Sequence, residues 1–349
     1  MSTLRIRGVE DRSAAIEALA ALPGSRRGLD ALMGDLDRRA HPSRAPGRAV
    51  KRALSWNLTD RWDWRWYPQG ITSSADAGAD TGTGTGTGEE TVGGRRILVT
   101  SWYARNPESG SRLTFLDLDR LRYRHVRLVV PTVRDAAVTL APLRVHAGGI
   151  VWHRDRIHVA ATGSGFFTAH VADLMSTPQS LRHRIDADWI LPVRQTYVAD
   201  SDGPEEPLRY SFMSLDRSGP HLLVGEYGRR QQTTRLARFP LEPDSGLPAL
   251  DETGVSRPVE VIDPQISSAQ GAVLVHGRRY LTASHGRFRR GSVYVDSSEA
   301  TRRHRSAVPP GPEDLTWWPS TDELWTQAEH PGLRWVLSID RSWFDGDRV

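Results

Sequence analysis

The hydrophobic pattern divides the chain into a helical beginning and a long succession of strands. Between Asp11 and Arg39 apolar residues recur at three- and four-residue steps: Ile16, Leu19, Ala20 and Leu22, then Leu29, Leu32, Met33 and Leu36, with Pro23-Gly24 between. This spacing predicts two short helices, each with one apolar face. A brace or lid packed on the main domain is the expected role, with a docking arm for a partner as the alternative. His41 to Arg48, rich in Pro and Arg, reads as a linker. From Trp56 onward the pattern changes to short alternating or β-branched runs separated by Gly, Pro, Asp and Ser, which predicts an all-β fold.

The strands repeat. Gln69 to Thr72, His146 to Trp152, Ser211 to Leu215, Gln270 to Leu274 and Glu313 to Trp317 each open on a small or polar cluster and run into apolar residues. Each is followed by a second strand with large apolar residues first and small or polar ones last: Ile97–Trp102, Ile157–Thr162, Leu222–Tyr227, Tyr280–His285 and Leu324–Glu329. Four of the connecting turns are short and polar, and the first is stretched by a Gly/Thr run from Thr81 to Gly88, read as a flexible loop. Third strands are expected at Arg112–Asp117, Phe166–Val171, Thr234–Leu241, Ser292–Asp296 and Leu333–Asp340. Fourth strands are expected at Tyr123–Val130, Ile190–Ala199, Pro258–Asp263 and Arg302–Val308, and the last unit has none of its own. The pattern predicts a single five-bladed β-propeller over residues 51–349, after a helical N-terminal extension and linker over residues 1–50. An N-terminal strand would close the ring by completing the last blade, Arg52 to Asp60 in the first place and Leu4 to Val9 in the second.

The segments Arg65-Trp-Tyr-Pro-Gln-Gly-Ile-Thr72, His146-Ala-Gly-Gly-Ile-Val-Trp152 and Gly311-Pro-Glu-Asp-Leu-Thr-Trp-Trp-Pro-Ser-Thr-Asp-Glu-Leu-Trp325 resemble those of a group of uncharacterised actinobacterial β-propeller proteins, many of them secreted. The likeness runs from about Trp56 to the C-terminus. It implies a propeller fold and no particular activity. This chain differs in showing no evident export signal.

Composition narrows the classes of function. The 349 residues carry a formal charge of +4, and Lys51 is the sole lysine among 46 basic residues. The arginines are scattered among Asp and Glu rather than gathered in a basic run, so nucleic-acid binding is not expected. The chain has no cysteine, which excludes thiolate nucleophiles, thiolate metal sites and disulfides. Met1 to Asp11 lacks an apolar export core, and no apolar run approaches membrane-spanning length. A cytoplasmic protein, monomeric or weakly self-associating, with a small-molecule partner and no membrane contact, is the expectation.

In a propeller the starts of the innermost strands and the ends of the second strands share one face. Gln69, His146, Ser211, Phe212, Gln270, Glu313 and Asp314 therefore gather with Trp102, Tyr103, Glu226, Tyr227, His285 and Glu329 at one mouth. The Gly/Thr run falls on the opposite face. Carboxyls and an imidazole confined by aromatic walls suit acid–base chemistry, because burial raises carboxyl pKa values and imidazole titrates near neutrality. Glu313 or Asp314 is the expected acid and His146 the expected base, with the others of this set binding substrate. This points to a lyase, cyclase or isomerase of specialised metabolism. The alternatives are a non-catalytic ligand- or protein-binding propeller and a metal-dependent hydrolase. No cofactor is expected, but His146, His285, Glu313, Asp314, Glu329 and His330 have donor atoms suited to a divalent metal. Polar residues at these strand starts are also the groups that hold neighbouring blades together and bind trapped water. Trp62, Trp64 and Trp66 read as alternating strand-edge residues, and Arg302 to Arg305, with His304 inside it, as a solvated charge cluster.

Overall fold

The computed structural model describes residues 3–79, 88–135, 137–229, 231–297 and 300–346. The Gly/Thr insertion, apart from Gly88, lies outside the described residues. The chain is all-β in its main body, and its strands form five antiparallel units.

Each unit begins with a hairpin of the kind the repeats predict. The first contains Trp66–Ser73, Ile97–Ala104, Ser111–Asp117 and Arg122–Arg134, and the second Ile150–His153, Arg156–Ala161, Gly165–His170 and Trp189–Ser201. The third runs through Phe212–Asp216, His221–Gly225, Leu236–Pro240 and Glu260–Ile262, and the fourth through Ala269–Val275, Arg278–Ala283, Gly291–Asp296 and Thr301–Val308. In the fifth, Pro312–Trp318, Glu323–Ala328 and Trp335–Asp340 are joined by Val50–Ser55 from the N-terminal region. Each innermost strand lies against those of the units before and after it, and the fifth lies against the first.

Apolar side chains fill the seams between consecutive units. Phe115, Trp152 and Ile157 meet between the first and second, and Phe166, Met213 and Leu222 between the second and third. Phe212, Leu223 and Leu281 join the third to the fourth; Val273, Tyr280 and Leu315 join the fourth to the fifth. Trp318 and Trp325 of the fifth pack with Ile71, Leu98 and Trp102 of the first. Each such side chain contributes about 1.5–3 kcal/mol by leaving water.

A polar clasp accompanies the packing. The end of one unit's second strand donates a hydrogen bond to a carbonyl opening the next unit: Ser101 Oγ to Ala147 at 2.6 Å, Thr162 Oγ1 to Tyr210 at 3.2 Å, Thr282 Oγ1 to Glu313 at 2.9 Å and Gln327 Nε2 to Gly70 at 2.7 Å. Between the third and fourth units the direction is reversed and the bond is between backbones: Ser268 N, just ahead of the fourth inner strand, donates to Gly228 O, beyond the third unit's second strand, at 3.0 Å. The polar ends of the second strands are explained by this clasp. The small residues opening the inner strands have a different cause. A Cβ at Gly149 would lie 2.1 Å from the Met213 backbone nitrogen, and one at Gly271 would lie 2.6 Å from the Asp314 backbone. Gly149→Ala is therefore expected to lower stability by about 2–3 kcal/mol, since backbone and not a flexible side chain must yield; a lowered urea midpoint checks this, and an unchanged one contradicts the close approach.

Several boundaries differ from the sequence expectation. The strand completing the fifth unit is Val50–Ser55, and Leu58–Trp62 beyond it is a short helix capped by Asn57, whose side chain accepts from Asp60 N. The helix ends the alternation expected of Trp62, Trp64 and Trp66; only Trp66 enters a strand and is buried, while Trp62 and Trp64 are exposed. Residues 1–50 are not purely helical. Leu4–Asp11 is a strand, and it pairs with Trp189–Ser201 at the outside of the second unit rather than with the fifth. Within the expected linker, His41–Ser43 pairs with Ala53–Ser55. Helix Ser13–Ala20 buries Ile16 and Leu19 against Val129, Leu140 and Ile190; helix Gly28–Gly34 buries Leu32 and Met33 against the first unit. Both are braces. They cover the place where Trp189–Ser201 runs parallel to Arg122–Arg134, a pairing that merges the first two units into one sheet. The extra strand Ala137–Pro142, which folds back on Arg122–Arg134, was not anticipated from the pattern. Among the described residues no helix is long and apolar enough to cross a membrane.

Candidate functional site

A pocket of about 940 Å³ lies over the fourth unit, where the start of its inner strand at Ser268 and Gln270 meets its later strands and the segments that follow the second strands of the third and fifth units; Gln69, Tyr103, His146 and Ser211 do not line it. Tyr227, Gln270, His285 and Glu329 line it, as their strand positions predict. Gln270 Nε2 donates to Glu313 Oε1 at 2.9 Å, so Glu313 sits directly behind the pocket wall. Gln69 Nε2 donates to its neighbour's carbonyl, Pro68 O, at 2.8 Å and to Glu329 Oε2 at 3.3 Å. Two amides thus orient two carboxyls, while Thr282 and Thr326 hold the Glu313 carbonyl.

Electrostatics separates these carboxyls from ordinary surface acids. Burial raises the Glu329 pKa to about 7, against the opposing effects of the Gln69 hydrogen bond and the Arg334 charge. Glu313, fully enclosed, is raised well above the usual glutamate value by burial, and further by Glu329 and Asp314. At neutral pH Glu329 is poised between its two states. Arg334 is fully buried and donates to three backbone carbonyls, those of Glu329, Asp60 and Trp66; its guanidinium lies 5.2 Å from the Tyr67 ring centroid. Tyr67 stacks on Tyr103 at 5.5 Å, and Tyr103 on His146 at 4.4 Å. Burial and the nearby Glu329 push the Tyr103 hydroxyl up to about 12, so it remains a proton donor. His146 is exposed at the rim on its open side, and loss of water around the ring lowers its pKa.

Other candidates from the sequence are placed elsewhere. Trp102 is fully buried between Trp56 and His125, with Nε1 donating to Thr100, and Phe212 is fully buried against Leu223 and Leu236. Neither reaches the pocket, because strand parity turns both side chains into the seams. Glu226 is ion-paired with Arg235 at 2.9 Å and accepts from Thr233 and from the Arg209 backbone, which makes it a brace of its loop. Ser211 opens the third inner strand with its N–H bonded to Gly225 O. Asp314 lies among the inner strands: its Oδ2 accepts from Ile71 N at 3.1 Å and Ile150 N at 3.3 Å, pinning two other inner strands, and burial raises its pKa against the opposing effect of these amides. His304 is buried against Trp343 and Phe344 rather than solvated. Among the described residues no three His, Asp or Glu side chains gather as a metal-ligand set, so the six donors named as a possible metal site do not converge.

The sequence reading missed the basic wall. Arg229, Arg289, Arg290, Arg303 and Arg305 line the same pocket, with His330. Arg303 donates to His285 Nε2 at 2.9 Å and to Ser292 Oγ, while Ser292 Oγ lies 2.8 Å from that same nitrogen. With burial and two neighbouring arginines lowering its pKa, His285 is neutral. The signal was present in His285-Gly-Arg-Phe-Arg-Arg290, which follows a second strand and so emerges on the mouth face. It was obscured by the arginine-rich composition of the whole chain.

The far end of the inner strands is closed. Helix Ser74–Ala77 follows the first of them, and Asp76 accepts from Thr72, Ser73 and Thr316 while pairing with Arg217 at 2.9 Å, both side chains buried.

No family model and no curated relative matches the sequence. Solved structures similar to this chain include a gluconolactonase from Xanthomonas campestris, 11% identical, covering 91% of this chain and 98% of that one with a TM-score of 0.38. A PQQ-bound aldose sugar dehydrogenase from Streptomyces coelicolor is 10% identical, with coverages of 87% and 98% and a TM-score of 0.40. A glutaminyl cyclase from Myxococcus xanthus is also 10% identical, with coverages of 87% and 97% and a TM-score of 0.37.

Proposed function

We propose that the five units are the blades of one closed β-propeller and that its mouth is the active site of an enzyme working by general acid–base chemistry on a small anionic molecule. The ring reading is supported by the fifth unit packing on the first and by the clasp from Gln327 to Gly70. The observation on which the enzymatic reading rests is Glu329 in the pocket wall, oriented by Gln69, beside the buried acid Glu313 and opposite an arginine wall. Arginines would bind and orient the anion. Glu329 would take or give a proton at a carbon or oxygen of the bound molecule, its pKa matched to neutral conditions. Glu313 would act through Gln270. This chemistry fits a lyase, cyclase or isomerase better than a hydrolase, since the proton-transfer groups are in place and, among the described residues that line the pocket, no activated nucleophile accompanies them.

A specific observation favours a second reading, a non-catalytic anion-binding propeller: His285 is already engaged by Arg303 and Ser292. The two are separated by exposing a metabolite extract to the wild-type protein and to Glu313→Gln and Glu329→Gln variants, followed by mass spectrometry. An anionic compound consumed by the wild type and spared by both variants is the expected result. Retention of an anion by all three proteins, with no turnover by any, would establish binding alone.

A further inference from the structure

A second cleft, of about 470 Å³, opens on the outside of the first unit, between strand Arg122–Arg134 and the segment 182–188. Its floor holds an unusual pair of cations. Arg112 is nine-tenths buried, and its guanidinium lies 4.5 Å from the Trp66 ring centroid and 4.8 Å from that of Trp102. Arg127 lies over the same Trp66 ring at 4.6 Å. Both charges are thus held against one indole by residues that are direct cross-strand partners.

Asp37, Asp186 and Asp188 also line the cleft, and the charge of Asp186 acts on Arg127, but the hydrogen bonds of the two cations leave their compensation incomplete. Arg127 donates to two neutral groups, the carbonyls of Ser109 and Asp186. Arg112 reaches Asp60 at 3.4 Å, but that carboxylate also receives Arg38 at 3.1 Å, the Tyr123 hydroxyl at 2.6 Å and His125 Nε2 at 3.1 Å. The buried Nε of Arg112 has no hydrogen-bond partner among the described residues. Burial and the charges of Arg127 and Arg38 lower the Arg112 pKa to about 9, a cost that the fold bears without an evident structural return. Buried cations in folded proteins are paired, because an uncompensated charge in a low-dielectric setting is strongly unfavourable. Stacked, preorganised guanidinium forks are also the groups best suited to bidentate recognition of an oxyanion.

We propose that this cleft is a binding site for a small tetrahedral oxyanion, a phosphate or sulfate group, held by Arg112 and Arg127 with Arg38 at its edge. It is separate from the mouth and does not depend on the reading given to the mouth. The adjoining cleft, which shares Arg127 and is walled by Trp64, Arg65 and Arg105, leaves space for an organic body attached to the anion.

Calorimetric titration with inorganic phosphate and with sulfate, at ionic strength matched by chloride, tests the site. Saturable binding with one stoichiometric equivalent is expected, weakened at least tenfold in Arg127→Gln and in Arg112→Lys, which keeps the charge but loses the fork. Arg289→Gln/Arg290→Gln, at the mouth, should leave that equivalent intact; loss of binding in this variant instead would place the anion at the mouth and overturn the assignment. Absence of saturable binding, or equal binding by Arg127→Gln, would overturn it as well. Arg127 sits at the cleft surface over an intact indole, so its variant remains folded even if Arg112→Lys does not.

Discussion

Replacing Glu329 with glutamine is expected to make the protein more stable at alkaline pH while destroying its activity. In the fold Glu329 titrates near 7 rather than at its ordinary 4.5, so ionisation of the buried carboxyl opposes folding. Below the unfolded value both states are protonated and the site is neutral in effect. As pH rises from about 4.5 to about 7 the unfolded chain ionises first, and the native state loses about 3 kcal/mol relative to it. Glutamine can still accept from Gln69 but cannot ionise. Urea midpoints of wild type and variant should therefore coincide near pH 4 and diverge with rising pH, the variant being the more stable. Any turnover detected should fall by about 10²–10⁴-fold, the usual worth of a positioned proton donor or acceptor. Parallel pH profiles for the two proteins would show that Glu329 is an ordinary acid and remove the basis of the catalytic reading. A stability gained where activity is lost is the pattern expected of a group kept for function.

The closed end of the channel should respond in the opposite way. Asp76→Ala removes the carboxylate shared by Arg217, Thr72, Ser73 and Thr316, groups drawn from the first, third and fifth units. Breaking a buried pair by deleting one partner costs about 3–5 kcal/mol. The capping box of helix Ser74–Ala77 is lost with it, for about 1 kcal/mol more. A urea midpoint lowered by less than a quarter of this would mean that the pair is not central to the fold. Asp76→Asn, which keeps the hydroxyl contacts, should fall between the two.

How far the sequence could be read depended on which physical signal was local. Hairpins such as Ile150–His153 with Arg156–Ala161 were legible because alternation and a polar turn lie within a few residues of each other. Helices Ser13–Ala20 and Gly28–Gly34 were legible through their apolar faces. The partner of Leu4–Asp11 was not, since an edge strand records that it pairs but not with which strand. At the site, Gln270, His285, Glu329 and Tyr227 followed from strand ends alone. Trp102 and Phe212 did not, because the side-chain parity that turns them into the seams depends on register. Asp314 had the composition of a catalytic acid and the position of a strand pin, a difference visible only through the Ile71 and Ile150 amides that it accepts. The arginine wall was hidden by its own abundance in the rest of the chain.

The pairing of Val50–Ser55 with Trp335–Asp340 has a consequence for how the molecule is made. Strand 50–55 emerges from the ribosome long before its partner, 335–340. Throughout that interval an edge with unsatisfied amides stands exposed, and the units already formed have no neighbour on one side. A contact that spans most of the chain also forms slowly, because its loop entropy is lost before its bonds are gained. The nascent protein is therefore most prone to aggregate before residues 335–340 emerge, and their arrival both satisfies the waiting strand and seals the last seam.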